Sequence, residues 1–249
     1  KEGVVYHALW LNEKGIERAM QHSDRLTHMG SISTTASETF MKHNTNRGFQ
    51  INREVQRGQI QLYKKYGIKV RRASIMTAFG CNFEGEIAPQ LVVDRLKEIL
   101  DIADEEGTPI EILSIADTMG WAAPNSIKQV VGKVRETWPD KRICLHLHDT
   151  RGMGIANVYA GMEMGVDLFD SSVAGLGGCP FAALKGAAGN VCTEDIVFLC
   201  NEHGIETGVD LDALIEVARL AEDIVGHPLP GSIMHAGSLA QYKVSQAAE

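Results

Sequence analysis

Residues 141–195 carry the densest chemistry in the chain. His146 and His148 stand two apart at the end of the apolar run ICLHLHD. Side chains of an extended strand alternate between its two faces, so a His-x-His pair there aims two imidazoles at one point. Neutral imidazoles combined with oxygen ligands suit Mg²⁺, Mn²⁺ or another divalent ion. Two strand histidines hydrogen-bonded inside a core use the same pattern, and the residues alone leave the two readings level. Downstream lies AGLGGCPFAALKGAAGN, long and glycine-rich for a connector. Loops of this kind are lids, anion cradles or disordered tips. It carries Gly178, Cys179 and, at its end, Asn190. Cys179 reads as a mobile thiol that exchanges a proton over a substrate, or as a small buried or incidental surface group. Gly-Asn by itself is the composition of an ordinary turn.

Other polar residues close or open probable elements. Asp117, in SIADTMG, ends an apolar run, where an aspartate commonly serves as a helix cap or loop anchor. Glu194 and Asp195 follow Asn190 either as groups that orient it or as the acidic first turn of a helix, a place the helix dipole favours. The helix reading is preferred for Asp195. Ser37, in SISTTASETF, opens a helical stretch as a capping hydroxyl or as part of an anion site at the helix start, and Asn46 lies further along the same segment.

The elements that must position these residues alternate regularly. Strands are expected at 4–11, 25–33, 68–79, 109–117, 143–149 and 166–173. A helix is expected over NEKGIERAMQHS, and one long polar helix runs from Ser37 to the KKYG sequence, where Gly67 stops it. Further helices are expected at 90–106, begun by Pro89 and ended by Gly107, and at 124–137, 152–164, 193–203 and 210–226. Leu91, Val92, Leu96, Ile99 and Leu100 recur at the three- and four-residue spacing of an amphipathic helix. Strands alternating with helices predict a parallel sheet covered by helices, with Asp117, His148 and Asn190 at the strand C-termini where such folds place their sites.

Composition narrows the function. The chain of 249 residues, 44% hydrophobic and 22% charged, suits one large α/β domain. A formal charge of −8 without a basic patch argues against nucleic acid as a partner. No run of eighteen apolar residues predicts a membrane span, and no leader pattern stands at the N-terminus. Five irregularly spaced cysteines favour reduced thiols in a cytosol-like compartment.

Several separated segments, HLHDT, DSSVAGLGGCPFA, GNVCTED, GCNFEGEIAP and SIADTMGWAAP, resemble in content and order the 3-hydroxy-3-methylglutaryl-CoA lyase family. This is a family of metal-dependent TIM-barrel lyases and Claisen-type synthases. The resemblance implies a single TIM (β/α)8 barrel catalytic domain over 1–249, of which about six β/α units are visible. In the family two further strands precede the segment that VVYHALWL resembles, and the first carries a catalytic arginine beside a metal-binding aspartate. Nothing at the start of this chain matches that pair, so residues ahead of Lys1 are expected in the natural polypeptide. Arg151 is a local candidate for the arginine's task.

The resemblance further implies a divalent metal, Mg²⁺ or Mn²⁺, held by His146, His148 and the amide oxygen of Asn190. It makes Cys179, Asp117 and His146 catalytic, places Ser37, Asn46 and Gly178 at the substrate or its CoA portion, and sets Glu194 behind the metal ligands. The implied reaction is cleavage of 3-hydroxy-3-methylglutaryl-CoA, or a related 3-hydroxy-acyl-CoA, to acetyl-CoA and a 3-oxo acid. The loop GGCPFAALKGAAGN is about two residues longer than the family's ordinary form, which points to a longer or differently branched acyl group. A Claisen synthase joining acetyl-CoA to a 2-oxo acid, and a truncated non-catalytic barrel, are the competing readings. A homodimer in the cytoplasm, or in the mitochondrial matrix if a transit peptide precedes the chain, completes the expectation.

Overall fold

The computed structural model describes residues 3–10, 12–177, 189–240 and 242–243. Five strands form one parallel sheet in chain order: β1 (Gly30–Thr35), β2 (Val70–Met76), β3 (Ile112–Ala116), β4 (Arg142–His146) and β5 (Leu168–Asp170). Register follows side-chain parity. Ala73, Leu113 and Ile143 align across β2 to β4, and so do Ile75, Ile115 and Leu145. All six are buried against the surrounding helices. The alternate positions face the other way and are largely polar: Ser74, Ser114 and Cys144 in one row, Ala116, His146 and Asp170 in the next. One face of the sheet is therefore the core and the other is available for chemistry.

Among the described residues the helices are α1 (Glu13–Met20), α2 (Glu38–Thr45), α3 (Phe49–Lys65), α4 (Pro89–Glu105), α5 (Pro124–Thr137), α6 (Gly154–Glu163), α7 (Thr193–Glu202), α8 (Leu211–Val225) and α9 (Ser232–Ala236). In α4, Pro89 occupies the first turn, where its missing N–H costs nothing. Val92, Leu96, Ile99 and Ala103 line the face that α4 buries. Gly67 and Gly107, at φ 66° and 61°, adopt the left-handed conformation just past α3 and α4.

The parallel, helix-covered α/β plan matches the expectation, and four details differ. Residues 4–10 form no strand; the run is linked to the chain by Thr27 N donating to the Tyr6 carbonyl, and Leu9 is 92% exposed. Among the described residues five strands therefore stand where six were expected. The first of them runs over Gly30–Thr35 rather than 25–33. The single long helix is two, because Asn46 turns left-handed (φ 54°) and Gly48 caps a new start. The strand expected at 166–173 keeps only Leu168–Asp170, since Ser172 pairs with Cys192 instead.

Candidate active site

β4 delivers the two histidines. His146 is its last residue, and His148 follows after Leu147 has turned into the core. Their rings lie 5.2 Å apart between centroids, at 69°. A metal ion about 2.1 Å from one nitrogen of each ring brings two imidazole centroids to roughly that separation. Asn190 joins them through the main chain. An antiparallel bridge couples His148 to Asn190, and flanking bonds run from Val191 N to the Leu147 carbonyl (3.0 Å) and from Asp149 N to the Gly189 carbonyl (2.9 Å).

The Nδ1 atoms of both rings face an oxygen. His148 Nδ1 lies 3.0 Å from the Thr118 carbonyl, and His146 Nδ1 lies 3.5 Å from Asp170 Oδ2. This directs both Nε2 atoms elsewhere, as metal-binding imidazoles require. The Asn190 amide donates from Nδ2 to the Leu176 carbonyl (2.9 Å), while its Oδ1 is buried with no partner among the described residues. An orphaned buried carbonyl oxygen is costly unless something binds it. Two ring nitrogens and that oxygen fit a divalent ion. Among the described residues no group of three His, Cys, Asp or Glu side chains is arranged to hold a metal, so the amide oxygen is the third donor they offer. Burial, and next the neighbouring His146, push the His148 imidazole below its usual range, against the hydrogen bond to Thr118 and the nearby Asn190 amide. A neutral ring is the form that binds metal.

Asp117 follows β3 and is buried, with Oδ1 accepting from Trp121 N (2.7 Å) and Oδ2 from Ala122 N (3.1 Å). It anchors the loop below the histidines. Burial raises its carboxyl to about 6, against those two hydrogen bonds and the charges of Arg151 and His146. Arg151 donates from Nη1 to the carbonyls of Met119 (2.9 Å) and Gly120 (2.7 Å), so it clamps the same loop. Thr118 is fixed in turn: its Oγ1 accepts from Thr77 N at 2.8 Å. Thr77 is a buried β-branched residue at φ 54°, a strained conformation that surrounding contacts must hold. Its Oγ1 meets Thr35 Oγ1 at 2.7 Å, which links the ends of β1 and β2.

The remaining expected residues fall in three groups. Ser37 is fully buried as the cap of α2; its hydroxyl accepts from Phe40 N (3.0 Å) and from Cys81 Sγ (3.2 Å). Asn46 is the exposed left-handed residue closing α2. Glu194 is wholly buried in the first turn of α7: Oε2 accepts from Ala174 N (3.0 Å) and Oε1 has no partner among the described residues. Burial pushes its carboxyl up. Asp195, besides lying in that turn, accepts from Ser232 N and Ile233 N and so caps α9. Gly178 and Cys179 lie outside the described residues.

Asp170, Arg72 and the Thr118 carbonyl were not singled out from the sequence. The one available signal was parity: Arg72 and Asp170 are charged residues at positions of β2 and β5 that face away from the core.

A parallel sheet with helices packed on it and metal-type donors clustered past its strand C-termini has the plan of a TIM-barrel protein. The HMGL-like family matches residues 1–221, and the chain belongs to that family. It is 35% identical over 238 residues to the hydroxymethylglutaryl-CoA lyase YngG of Bacillus subtilis, covering 92% of this chain and 73% of the relative. It is 33% identical over 226 residues to the 3-hydroxy-3-isohexenylglutaryl-CoA/hydroxy-methylglutaryl-CoA lyase of Pseudomonas aeruginosa, covering 91% and 71%. An HMG-CoA lyase from Acinetobacter baumannii, solved with coenzyme A and 3-methylmalate, superposes with a TM-score of 0.81 at 34% identity over 96% of this chain and 74% of that one.

Proposed function

We propose that the chain is a carbon–carbon lyase that cleaves a 3-hydroxy-acyl-CoA, with 3-hydroxy-3-methylglutaryl-CoA as the first candidate. The reading is supported by the His146–His148 ring pair, 5.2 Å apart, by the main-chain bridge that sets Asn190 beside His148, and by the unpartnered Asn190 oxygen. His146, His148 and Asn190 would hold a divalent ion, Mg²⁺ or Mn²⁺, whose Lewis acidity would make the 3-hydroxyl more acidic.

The chain's own residues do the rest. Asp117, titrating at about 6, exchanges a proton near neutral pH and relays the one released by the hydroxyl. The C2–C3 bond then breaks: its electron pair goes to C2 as the thioester enolate, and C3 becomes the ketone carbon. Protonation at C2 completes acetyl-CoA, and the Cys179 thiol is the proposed donor. Glu194 supports the chain beside Asn190 through Ala174 N. The relatives' names support the substrate class and some latitude in it. Beside the isohexenylglutaryl-CoA lyase stands an (R)-citramalyl-CoA lyase of Chloroflexus aurantiacus, 35% identical over 191 residues. The reading extends to a homodimer acting on a soluble substrate.

The test is direct incubation with Mg²⁺ or Mn²⁺ and HMG-CoA, isohexenylglutaryl-CoA or citramalyl-CoA in parallel. Acetyl-CoA together with the matching oxo acid is the expected result. Asn190→Ala is expected to weaken Mn²⁺ binding about 10–100-fold, the cost typical of a damaged metal shell. Protein that neither binds Mn²⁺ nor cleaves any of the three thioesters would overturn the proposal.

A further inference from the structure

His146 sits where a loose ring would be of little use. It ends a strand, and its side chain is 35% exposed. The group behind it is Asp170, its direct neighbour in the β4–β5 register. Asp170 is itself held from across the sheet. Arg72, on β2, reaches past β3 and β4 and places Nη1 3.0 Å from Asp170 Oδ2 and 3.3 Å from Oδ1, with Nη2 3.2 Å from Oδ1. Nη2 also lies 3.1 Å from Cys144 Sγ, one row below His146. The guanidinium thus spans the polar face of the sheet and grips the carboxylate at both oxygens. An arginine fork orients its partner as well as pairing with it.

Chemistry decides what this grip does. An ionised carboxylate only accepts hydrogen bonds and a guanidinium only donates them. Arg72 donates to both oxygens of Asp170, so Asp170 meets it as an acceptor-only carboxylate. The imidazole edge facing it must carry a hydrogen. We propose that Arg72 and Asp170 are positioning residues: the clamped carboxylate accepts Nδ1–H of His146 and leaves Nε2 with its lone pair turned to the metal. His148 receives the same service from a neutral acceptor, the Thr118 carbonyl. The proposal rests on the reading of His146 as a ligand, and its test separates the two.

Asp170→Asn reverses the polarity of the contact. Arg72 remains donor-only, so it captures the single amide oxygen and the NH₂ group turns to His146. The ring must then accept at Nδ1 and carry its hydrogen on Nε2, which blocks the ligand nitrogen. Removing the donor in the double variant Arg72→Met/Asp170→Asn frees the amide oxygen to accept Nδ1–H again. Imidazole ¹⁵N shifts in metal-free, histidine-labelled protein read the tautomer, and Mn²⁺ titration reads the affinity. The expected order is Nδ1–H in the wild type, Nε2–H with at least about tenfold weaker Mn²⁺ binding in Asp170→Asn, and return of Nδ1–H with most of the affinity in the double variant. A merely structural ion pair would give no such recovery.

The proposal is overturned by an Nε2–H tautomer in the wild type. It is equally overturned by a folded Asp170→Asn that keeps tautomer and affinity, or by a double variant no better than the single one. Should Asp170→Asn not fold, Asp170→Ser takes its place: loss of the tautomer bias supports the clamp, and a retained bias overturns it. Wild-type protein with Nδ1–H but no Mn²⁺ binding supports the clamp and counts against the metal reading alone.

Discussion

Burial gives Asp117 a measurable signature. Its carboxyl titrates at about 6 when folded, against an ordinary 3.8. A carboxyl whose folded pKa is raised binds more protons in the folded state, so its contribution to stability falls as pH rises from about 4 to about 6. At about 1.4 kcal/mol per pKa unit, the ionised group costs roughly 3 kcal/mol above that window. Asp117→Asn abolishes the titration. The variant's unfolding free energy minus that of the wild type, measured in urea, should climb by up to this amount between about pH 4 and about pH 7. A flat difference would show that the carboxyl is not held up. The histidine pair was legible in the sequence because a strand's period of two converts spacing directly into direction. Asp170 and Arg72 were not: their contact joins strands with two others between them, and only the register brings them together. The Thr118 carbonyl was equally hidden, because every residue type carries one.

Among the elements, α5 runs over the predicted residues, since Pro124 starts it and Pro139 follows its end. The segment from Ser37 to Lys65 read as one helix because its polar periodicity continues. What divides it is a left-handed asparagine, which sequence patterns tolerate in a turn as readily as in a helix. The strand expected at 4–11 failed for a different reason: apolar composition makes a strand only where a neighbouring ladder satisfies its main chain. Local caps, in contrast, behave additively and can be tested singly. Asp210 accepts from Ala213 N (3.1 Å) at the start of α8, the helix packed on residues 173–175 ahead of Asn190. Asp210→Ala should lower stability by about 1 kcal/mol, read as a shift of the urea midpoint at unchanged slope. A variant as stable as the wild type would show that the end of α8 is held by its packing instead.

The molecule as a whole divides its sheet between an apolar face that folds it and a polar face that works. That division, and the helical cover, were legible in the alternation of apolar and polar runs; the treatment of the sheet's first edge was not. There α3 stands in for a neighbouring strand at one residue: Ser33 N donates to Gln56 Oε1 (2.8 Å), Asn52 Nδ2 donates to the Ser33 carbonyl (3.1 Å), and Gln56 Nε2 donates to Asn52 Oδ1 (3.1 Å). Gln56→Leu strips the Ser33 N–H of its acceptor and should cost about 1–3 kcal/mol. An edge opened in this way also invites other strands, so faster thioflavin-positive aggregation should accompany the lost stability. Unchanged stability and solubility would show that the amide pair is incidental. The bridge between His148 and Asn190 has a consequence of its own. Two of the three proposed donors inherit their spacing from main-chain pairing, which is indifferent to side-chain identity. Evolution can therefore redecorate the rim for a longer, shorter or branched acyl tail without disturbing the proposed seat of the ion, so a lineage built on this plan can change diet while keeping its proposed reaction.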